Sequence, residues 1–557
     1  MQKNLKIIPL GGLGEIGRNM MLLEYGEAIL IIDMGLGFPD EDMPGIDFTI
    51  PNISYLKGKE KNISGIVITH GHYDHVGAIP YLAGQIGNPI IYASPLTQAI
   101  ITRRQDDFPS QPKLKIQQVK DGSRIKTGPF SVEFFRMNHN IPDNLGLFIE
   151  TPVGNILHTS DFKFDPNPMN ELPTDFQKLR ELSKRKVLLL ASDSTSAEEK
   201  GHSLSEKEIS ENLEEIFSQA SGRIIVATFS SLLNRIQQII LLSEKHGRRV
   251  IIDGYSMKTN IETSRALGYI KMKKETLIQA KDVNNWPDSK ITVLCTGAQA
   301  EDNAILMKIT NGEHRFIRFK KKDTVVFSSS VIPGNERTIQ RLKDNVLRQG
   351  TKVFHYKMMD IHAGGHAYQN ELKEMLQIIN PKFFMPIHGQ YSMLVSHANL
   401  AQQAIGLSEK DIIVADNGQI INLSQNKIFI EKEVAPSNYV MVDGLGVGDI
   451  GEVVLRDRNM LSKDGMFVII VIIDRQSGRV KGSPDIISRG FVYLRESKEL
   501  LKSTRKKIVD LINHATAKPH QAVNLIYLKD EVRDKIGQFL YTKTKRRPMI
   551  LPVIIEV

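Results

Sequence analysis

The sequence predicts an α/β protein with more than one domain, and three patterns along the chain support this prediction. Up to Thr159, short runs of Ile, Leu and Val alternate with turn residues, which is typical of strands. From Ser205 to Ser328, apolar strands alternate with helical periodicity, which indicates βαβ units and a parallel sheet. A third unit begins at about Asn438, and a length of 557 residues gives room for three or four domains at roughly 150 residues each.

The predicted elements follow these patterns in chain order. The strands of the first part are Leu5–Leu10, Asn19–Glu24, Ala28–Asp33, Gly65–His70, Pro89–Ala93, Ser131–Met137, Gly146–Thr151 and Asn155–Thr159. The alternating part has helices at Ser205–Gln219 and Leu232–Lys245, with further segments at Arg223–Phe229, Arg249–Asp253, Asn260–Leu267, Ile291–Cys295 and Thr324–Ser328. The remaining predictions are helices at Glu371–Ile379 and Ser497–His514 and strands at Gly465–Ile473, Gly490–Leu494 and Met549–Val557.

Composition excludes several classes of protein. The longest apolar run, Met466–Ile473, is far short of the ~20 residues of a membrane helix, and no apolar segment of a secretory signal follows Met1. The single cysteine, Cys295, cannot form an intramolecular disulfide or a thiolate metal cluster. We therefore expect a cytoplasmic protein. With 72 Lys and Arg against 63 Asp and Glu, the net charge of +9 is a weak indication of a polyanionic partner.

Gly12, Gly14 and Gly17 imitate a dinucleotide-binding fingerprint, with Asp33 at the expected distance downstream. That function requires a helix directly after the glycines, whose N-terminus holds the pyrophosphate. The residues that follow instead alternate through Gly26 into another strand, which is a β-hairpin pattern. We therefore expect these glycines to form a tight turn rather than a nucleotide site.

The strongest chemical signal is the segment Thr69–His75, which ends an apolar strand and contains His70, His72, Asp74 and His75. So many titratable side chains at one strand end are hard to explain as packing, because burying them without a partner is costly. Neutral imidazoles with carboxylates suit zinc and similar divalent ions, and the lack of a nearby cysteine favours an open catalytic site over a closed structural one. The alternative is a solvated loop that contains three histidines by chance.

Four ligands cannot fill the coordination shells of two metal ions, so we expect further ligands at the ends of strands later in the chain. Three such residues are present: His139, Asp161 and His388 each follow an apolar run. A lone histidine is usually an ordinary residue, so it is the joint occurrence of these three that supports a metal site.

With these residues, the sequence resembles the metallo-β-lactamase superfamily and, within it, the β-CASP nucleases of the ribonuclease J family. The resemblance runs nearly end to end and includes the segments Asp193–Thr195, Phe229–Ser231, Ile332–Glu336, His362–His366, Pro386–Gly389 and Lys543–Met549. It implies an αββα sandwich with an inserted β-CASP α/β domain and a small α+β C-terminal domain. The implied division is 1–205 and 351–435 for the sandwich, with a linker to about 445, 206–350 for the insertion and 446–557 for an assembly domain.

The resemblance also implies roles for single residues. One metal would be held by His70, His72 and His139, and the other by Asp74, His75 and His388, with Asp161 bridging the two. Asp33 would orient the histidine loop, and Asp193 would hold a ligand histidine in place. The catalytic candidates are Asp74, His366 and Asp193. Asp74 would accept a proton from the nucleophile or orient it, and His366 would contact the scissile phosphate or protonate the leaving oxygen. The metals would be zinc, with manganese or magnesium as alternatives.

Phosphate contacts are expected from two segments. Ser230, Asn234 and Arg235 place a hydroxyl, an amide and a guanidinium at a strand-to-helix junction, and His362, Gly364, Gly365 and His366 form a glycine-bounded loop. Members of the family usually have serine where this chain has Gly364, so a hydroxyl donor expected in the phosphate pocket is missing. Ser160 and Ala300 stand where glycine is usual, although the ligand set is intact.

The implied activity is 5′-to-3′ exoribonuclease cleavage that favours a 5′-monophosphate, with endonucleolytic cleavage as a further option, in RNA processing and decay. The implied partner is single-stranded RNA, and the chain would form a homodimer or homotetramer, with a paralogue or RNA-decay proteins as further candidates. The alternatives are a β-CASP DNA nuclease, a small-molecule ester hydrolase of the same superfamily, and a non-enzymatic scaffold. His388 favours the RNA-type members, the long insertion disfavours a small-molecule hydrolase, and a scaffold would have lost ligands.

Overall fold

The computed structural model describes residues 4–40, 42–169, 171–301, 303–331, 335–444, 446–491, 497–516 and 524–557. The chain divides into two compact units, one of residues 1–38 and 49–440 and the other of residues 39–48 and 441–557. Most of the predicted motif at 332–336 and of the predicted strand at 490–494 lies outside the described residues.

The helices and strands are numbered in chain order. Up to Asp193 they are β1 (Leu5–Gly11), β2 (Met20–Tyr25), β3 (Ala28–Ile32), β4 (Phe48–Ile50), β5 (Ile63–Val67), α1 (Tyr73–Val76), α2 (Ile79–Leu82), β6 (Ile90–Ala93), α3 (Pro95–Gln105), β7 (Lys115–Gln118), β8 (Arg124–Thr127), β9 (Phe130–Arg136), β10 (Leu145–Glu150), β11 (Asn155–His158), α4 (Phe176–Lys184) and β12 (Val187–Asp193). From there to His355 they are α5 (Glu206–Gln219), β13 (Ile224–Ala227), α6 (Leu233–Lys245), β14 (Arg249–Asp253), α7 (Tyr255–Ala266), β15 (Ile291–Cys295), α8 (Ile305–Thr310), β16 (Thr324–Phe327), α9 (Glu336–Arg348) and β17 (Lys352–His355). The remaining elements are α10 (Gln369–Ile379), β18 (Phe383–Ile387), α11 (Tyr391–Ile405), β19 (Gln419–Leu423), β20 (Ile428–Val434), β21 (Val440–Asp443), β22 (Gly446–Val447), α12 (Glu452–Asp464), β23 (Met466–Ile473), β24 (Asp485–Arg489), α13 (Lys498–Ala515), α14 (Leu525–Thr544) and β25 (Met549–Glu556).

The first unit contains a sandwich of two sheets. One sheet has the order β20-β19-β1-β2-β3-β5-β6-β7 and the other has the order β18-β12-β11-β10-β9-β8. Alternate side chains of both sheets, such as Ile7, Leu23, Val132 and Phe134, belong to one buried core, as expected when strands present every second residue to the same face. Helices α4, α10 and α11 cover the outer face of the six-stranded sheet. The expected sandwich is therefore present.

The glycine-rich segment after β1 leads directly into β2, and the two strands pair antiparallel. Strands β2 and β3 pair antiparallel on either side of Gly26, so the hairpin prediction is correct. Among the described residues 12–19, no helix follows the glycines in the position that a dinucleotide site requires.

The inserted part of the first unit is a parallel sheet with the order β14-β15-β13-β16-β17. Helices α5, α6 and α7 pack with one face of this sheet, and α8 and α9 pack with the other. Strand β17 belongs to this sheet, although the sequence division assigned residues from 351 onward to the sandwich.

The second unit has a three-stranded sheet of the order β24-β23-β25, with β23 and β25 parallel. One face of the sheet packs against α13 and α14 through residues such as Phe467, Ile508 and Ile536. The sequence predictions missed α14, a helix of 20 residues. Its buried residues, Leu528, Val532, Ile536 and Leu540, form a stripe of one apolar side chain per turn, which is a weak helical signal.

A buried ionic network joins the sandwich to the inserted part. Lys163, Glu206 and Arg235 are each at most 3% exposed, and Glu206 lies 3.3 Å from Lys163 Nζ and 3.2 Å from Arg235 Nη2. Burial alone would raise the pKa of Glu206, but the charges of Lys163 and Arg235 lower it to about 2. Glu206 therefore links the two cations, and Lys163 also pairs with the buried Asp165 at 3.2 Å.

Replacing that carboxylate tests the importance of the network. We expect Glu206→Ala to lower the free energy of unfolding by about 3–5 kcal/mol, because two buried cations lose their shared partner. Glu211→Ala on the same helix removes only an exposed pair with Lys207, and we expect a change within about 1 kcal/mol. Denaturant unfolding followed by circular dichroism measures both. Equal stability of the two variants would contradict this role of the network.

Candidate metal centre and catalytic cleft

The predicted ligands converge because strands from both sheets end at one edge of the sandwich. Strands β9, β11, β12 and β18 run in the same direction, since β10 is antiparallel to both β9 and β11 while β12 is parallel to β11 and β18. Their carboxyl ends therefore meet at one edge. His139 follows β9, Asp161 follows β11, and His388 follows β18, while the histidine loop follows β5 of the other sheet.

Three histidines form one cluster. His70 Nε2 lies 3.0 Å from His72 Nδ1, which lies 3.2 Å from His139 Nε2. His70 and His139 are at most 2% exposed. The carbonyl of Gly365 lies 2.7 Å from His139 Nδ1, and because a carbonyl only accepts, this nitrogen donates and Nε2 has a free lone pair. Three ring nitrogens are thus directed at one point.

A second cluster around one point contains Asp74, His75, Asp161 and His388. His75 Nε2 lies 3.4 Å from Asp74 Oδ2 and 3.3 Å from Asp161 Oδ2. Asp161 Oδ1 accepts a hydrogen bond of 2.8 Å from His388 Nδ1. Asp161 Oδ2 also lies 3.8 Å from His70 Nε2 and from His139 Nε2, so this carboxylate faces both clusters.

The two clusters differ in their electrostatics. Burial lowers the pKa of His72 to about 4 and the pKa values of His70 and His139 well below the ordinary histidine value, so these rings are neutral. At His388, burial alone would lower the pKa, but the carboxylate of Asp161 raises it to about 10. The second cluster therefore concentrates negative charge that positive charge must balance.

A divalent cation fits this donor set. In the first cluster, the ring nitrogens are separated by 3.0 and 3.2 Å, a spacing at which three imidazoles can bind one cation. In the second cluster, His388 Nε2 is buried, has no hydrogen-bond partner among the described residues, and lies 3.4 Å from Asp74 Oδ2. Imidazole nitrogens with carboxylate oxygens are a typical zinc donor set.

Asp33 contacts the histidine loop at two residues. Its carboxylate accepts hydrogen bonds from the backbone N–H of Thr69 and the hydroxyl of Thr69, both at 2.8 Å, and from His75 Nδ1 at 2.8 Å. The Thr69 hydroxyl therefore accepts from His70 Nδ1 at 3.1 Å, which directs His70 Nε2 toward the cluster. One carboxylate thus orients two of the predicted ligands.

Several residues of the site have left-handed backbone conformations. Asp33, Ser160 and His388 have φ values of 59°, 61° and 51°. Glycine adopts this region without strain, whereas other residues do not. Ser160 and Ala300, the two positions where the resemblance leads us to expect glycine, both have a φ of 61°. These departures therefore place strained residues where the fold favours glycine.

His366 and Asp193 lie beside the clusters as a hydrogen-bonded pair. Asp193 Oδ2 accepts a 2.8 Å bond from His366 Nδ1, whereas the nearest ligand histidine, His388, is 3.7 Å from Asp193 Oδ1. The carboxylate of Asp193 is thus directed mainly at His366 and also faces His388, and its expected role of holding a ligand histidine stays a prediction. Burial alone would lower the pKa of His366, but the charge of Asp193 raises it.

The predicted phosphate-binding residues separate into two groups. Ser230 and His366 line the cleft above the clusters, and Gly364 and Gly365 lie in the same segment as His366. Asn234 and Arg235 do not line it: they are 2% and 3% exposed, and Arg235 donates to Ser328 Oγ at 2.7 Å and to the Ile361 carbonyl at 2.6 Å. Both expectations are wrong, because the first turn of α6 directs these side chains into the interior.

His362 was also expected to contact phosphate. It does not line the cleft, and burial followed by the nearby charge of Arg235 lowers its pKa to about 3. A neutral, buried ring beside a guanidinium is suited to packing rather than to binding a phosphate.

The cleft has a volume of about 360 Å³ and lies between the sandwich and the inserted part of the first unit. Its lining includes residues that the sequence did not single out, among them Phe38, Arg103, Asn260 and Ser264. Phe38 is 67% exposed, and the buried Ser264 Oγ has no hydrogen-bond partner among the described residues. No motif marks these positions, and only the adjacency of Arg103 and Arg104 could have drawn attention to α3.

A basic stretch of the sequence, Arg318 with Lys320–Lys322, does not line the cleft. The lining includes Arg103 instead, and Lys320 pairs with Asp288 at the surface. Arg315 lines a different cavity of the inserted part. Among the described helices, none combines the length and the apolar character needed to cross a membrane.

Comparisons with known proteins agree with this architecture. Four family models match consecutive parts of the chain: the metallo-beta-lactamase superfamily (13–196), the ribonuclease J beta-CASP domain (221–346), the Zn-dependent metallo-hydrolase RNA specificity domain (356–415) and the ribonuclease J C-terminal domain (453–557). A solved structure of a protein of unknown function from Enterococcus faecalis covers 75% of this chain and 100% of its own, with a TM-score of 0.53 and 15% identity. That likeness concerns the fold alone.

Relatives with names match along the whole chain. Ribonuclease J 1 of Streptococcus pyogenes is 38% identical over 549 residues, which is 99% of this chain and 97% of the relative. Ribonuclease J2 of Bacillus subtilis is 35% identical over 555 residues, which is 100% of this chain and 99% of the relative. With this degree of identity over full length, the chain belongs to the ribonuclease J family.

Proposed function

We propose that this chain hydrolyses phosphodiester bonds of single-stranded RNA at a centre of two divalent metal ions, from the 5′ end and with preference for a 5′-monophosphate. Internal cleavage is proposed as a second activity of the same centre. The observation that supports this most strongly is the convergence of seven predicted ligands on two points, with Asp161 facing both. A β-CASP DNA nuclease and an ester hydrolase are not favoured, because the family is that of ribonuclease J.

The proposed ligands are His70, His72 and His139 for one ion and Asp74, His75 and His388 for the other, with Asp161 between them. Zinc is the proposed metal because imidazoles dominate the donor set. When bound, two such ions lower the pKa of a shared water and hold a phosphodiester for in-line attack. Asp33 and the Gly365 carbonyl orient ligand rings, which is the usual task of groups behind metal ligands.

The chain itself supplies the proposed acid. His366 lines the cleft, and the hydrogen bond from its Nδ1 to Asp193 stabilises the protonated ring. A protonated imidazole in this position can donate its Nε2 proton to the leaving oxygen. Asp74, two residues after His72, is proposed to orient the nucleophile as well as to bind a metal.

We also propose the domain division expected from the sequence, with one change. Residues 1–205 and the segment to about 435 form the sandwich domain, 206 to about 355 the inserted domain, and 446–557 the C-terminal domain. The inserted domain extends to about 355 because β17 pairs with β16. A cytoplasmic location, expected from the lone cysteine, stays a prediction.

The proposed assembly is a homodimer, or a tetramer of two dimers, formed through the C-terminal domain. The outer face of its sheet exposes aliphatic side chains, including Ile472, Ile487, Val553 and Ile555, each between 40% and 44% exposed. A contiguous apolar patch of this kind marks an interaction site, and a second copy of the sheet offers the matching patch about a two-fold axis. Hetero-assembly with a paralogue would use the same face.

The activity itself can be tested with RNA and DNA of one sequence. We expect the purified protein to shorten 5′-monophosphorylated RNA, to leave the DNA intact, and to lose activity when a chelator removes the metals. His72→Ala and Asp161→Ala should abolish cleavage but retain RNA binding, whereas His202→Ala, outside both clusters, should have no effect. Persistence of the RNA while the DNA or another ester disappears would reject the proposed substrate, and full turnover by either ligand variant would reject the two-metal centre.

Two neighbouring glycines provide a matched test of how the first cluster is held. A Cβ at Gly365 would lie 2.2 Å from His139 Cε1, whereas a Cβ at Gly364 has no neighbour closer than His366 N at 4.0 Å. We therefore expect Gly365→Ala to displace His139, to reduce bound metal from two ions per chain to one and to abolish cleavage. Gly364→Ala should retain both metals. Metal analysis of the purified variants measures the difference, and equal metal content would contradict the assigned role of Gly365.

The assembly is tested by a charge placed on the apolar face. Ile555→Asp should convert the oligomer to monomers, because a carboxylate in an apolar interface is costly to desolvate. Ile526→Asp changes an isoleucine that is 76% exposed on α14, outside the sheet face, and should leave the mass unchanged. Light scattering after size-exclusion chromatography gives the mass of each. An unchanged mass for Ile555→Asp would place the interface elsewhere.

A further inference from the structure

A second cavity of the inserted part has no role in the site described above. It has a volume of about 580 Å³, and its lining includes Lys258, Arg265, Leu277, Lys281, Arg315 and Phe316. We call it the α7 cavity, because α7 forms one of its walls. A volume of this size is within the range of small-molecule and nucleotide sites.

Helix α7 separates this cavity from the catalytic cleft. Ser256, Asn260, Thr263 and Ser264 of α7 line the cleft, whereas Lys258, Ile261, Glu262 and Arg265 line the α7 cavity. At 100° per residue, these two sets lie on nearly opposite sides of the helix. The catalytic cleft and the α7 cavity belong to one compact unit. Because the same helix separates them, the distance between them is about one helix diameter, or 10 Å.

The floor of the α7 cavity is apolar and includes an aromatic ring. Phe316 and Leu277 are 39% and 43% exposed, and the Arg315 guanidinium lies 5.1 Å from the centre of the Phe316 ring. The segment behind them is fixed, because His314 Nδ1 accepts from the Ile317 N–H at 2.9 Å while His314 Nε2 contacts Asp253 at 3.0 Å. A planar, partly apolar group can therefore stack on a preformed surface.

The rim of the cavity carries a surplus of positive charge. The carboxylate of Asp253 is already balanced by Lys258 at 2.8 Å and contacted by His314. Arg265, Lys281 and Arg315 then face one remaining lining carboxylate, that of Glu262. An aromatic floor with a cationic rim complements a ligand that has a planar base and a phosphate.

We propose that the α7 cavity is a second nucleotide-binding site, remote from the metals. The ligand is either a nucleotide of the RNA beyond the catalytic cleft or a free nucleoside monophosphate, which is the product of exonuclease cleavage. The first source rests on the proposed ribonuclease function. It is favoured because Arg103, which lines the cleft, contacts Tyr255 at the start of α7, and Tyr255 is 74% exposed. Tyr255 is therefore an exposed aromatic ring beside a residue of the cleft, at the first residue of the helix that separates the two spaces.

The test uses the double variant Arg315→Ala/Phe316→Ala, with Arg348→Ala, an exposed residue outside both cavities, as the control for a lost charge. Binding is measured by fluorescence anisotropy in chelator, so that no cleavage occurs, with labelled RNAs of about 20 and about 4 nucleotides and with labelled adenosine monophosphate. We expect the double variant to bind the longer RNA about tenfold more weakly and the shorter RNA unchanged, because one stacked base and one phosphate contact are lost. Thermal melting establishes that the variant is folded.

Each outcome has a definite meaning. Weaker binding of the longer RNA alone supports the site and identifies its ligand as part of the RNA. Weaker binding of adenosine monophosphate alone supports the site and identifies a free nucleotide as its ligand. Unchanged binding of all three probes overturns the proposal. Cleavage of RNA by the metal-loaded wild-type protein is measured in parallel, and its absence would reject the proposed function rather than the second site.

Discussion

Asp161 is the group on which the rest of the site depends, because its carboxylate lies between two sets of buried histidines. One of its oxygens lies within 3.8 Å of ring nitrogens of His70, His75 and His139, and the other accepts from His388 at 2.8 Å. Imidazole nitrogens that converge on one point can bind a cation, and a carboxylate that faces two such sets can bring two cations close together. The strand order, the loop conformations and the surrounding hydrogen bonds all act to hold this arrangement.

The backbone contributes as much to the site as the ligand side chains do. Asp33, Ser160 and His388 are held in left-handed conformations, each at a cost of about 1–3 kcal/mol that the surrounding sheets must offset. Gly365 brings a carbonyl to His139 at a place with no room for a side chain. The sandwich therefore acts as a rigid frame that maintains strained loops at one edge, while the inserted domain forms the opposite wall of the cleft.

The sequence indicated the polar side chains that follow buried strands, but it did not indicate which way the side chains of a helix face. The histidine loop and the later ligands were predictable because each follows an apolar strand, and carboxyl ends of such strands share an edge. Asn234 and Arg235 were assigned to phosphate because they begin a helix, but the face that a helix turns to its neighbours depends on tertiary packing. The same limit applies to Asp193, because the sequence did not indicate that its carboxylate accepts a hydrogen bond from His366. Ser264 and Arg103 enter the cleft only because distant segments meet there.

The most direct test of the central claim is the location of the metals in crystals of the protein, by anomalous scattering at the zinc absorption edge. The account predicts two peaks per chain, one among His70, His72 and His139 and one among Asp74, His75 and His388, with Asp161 between them. A single peak, or two peaks of which neither lies beside Asp161, would contradict it.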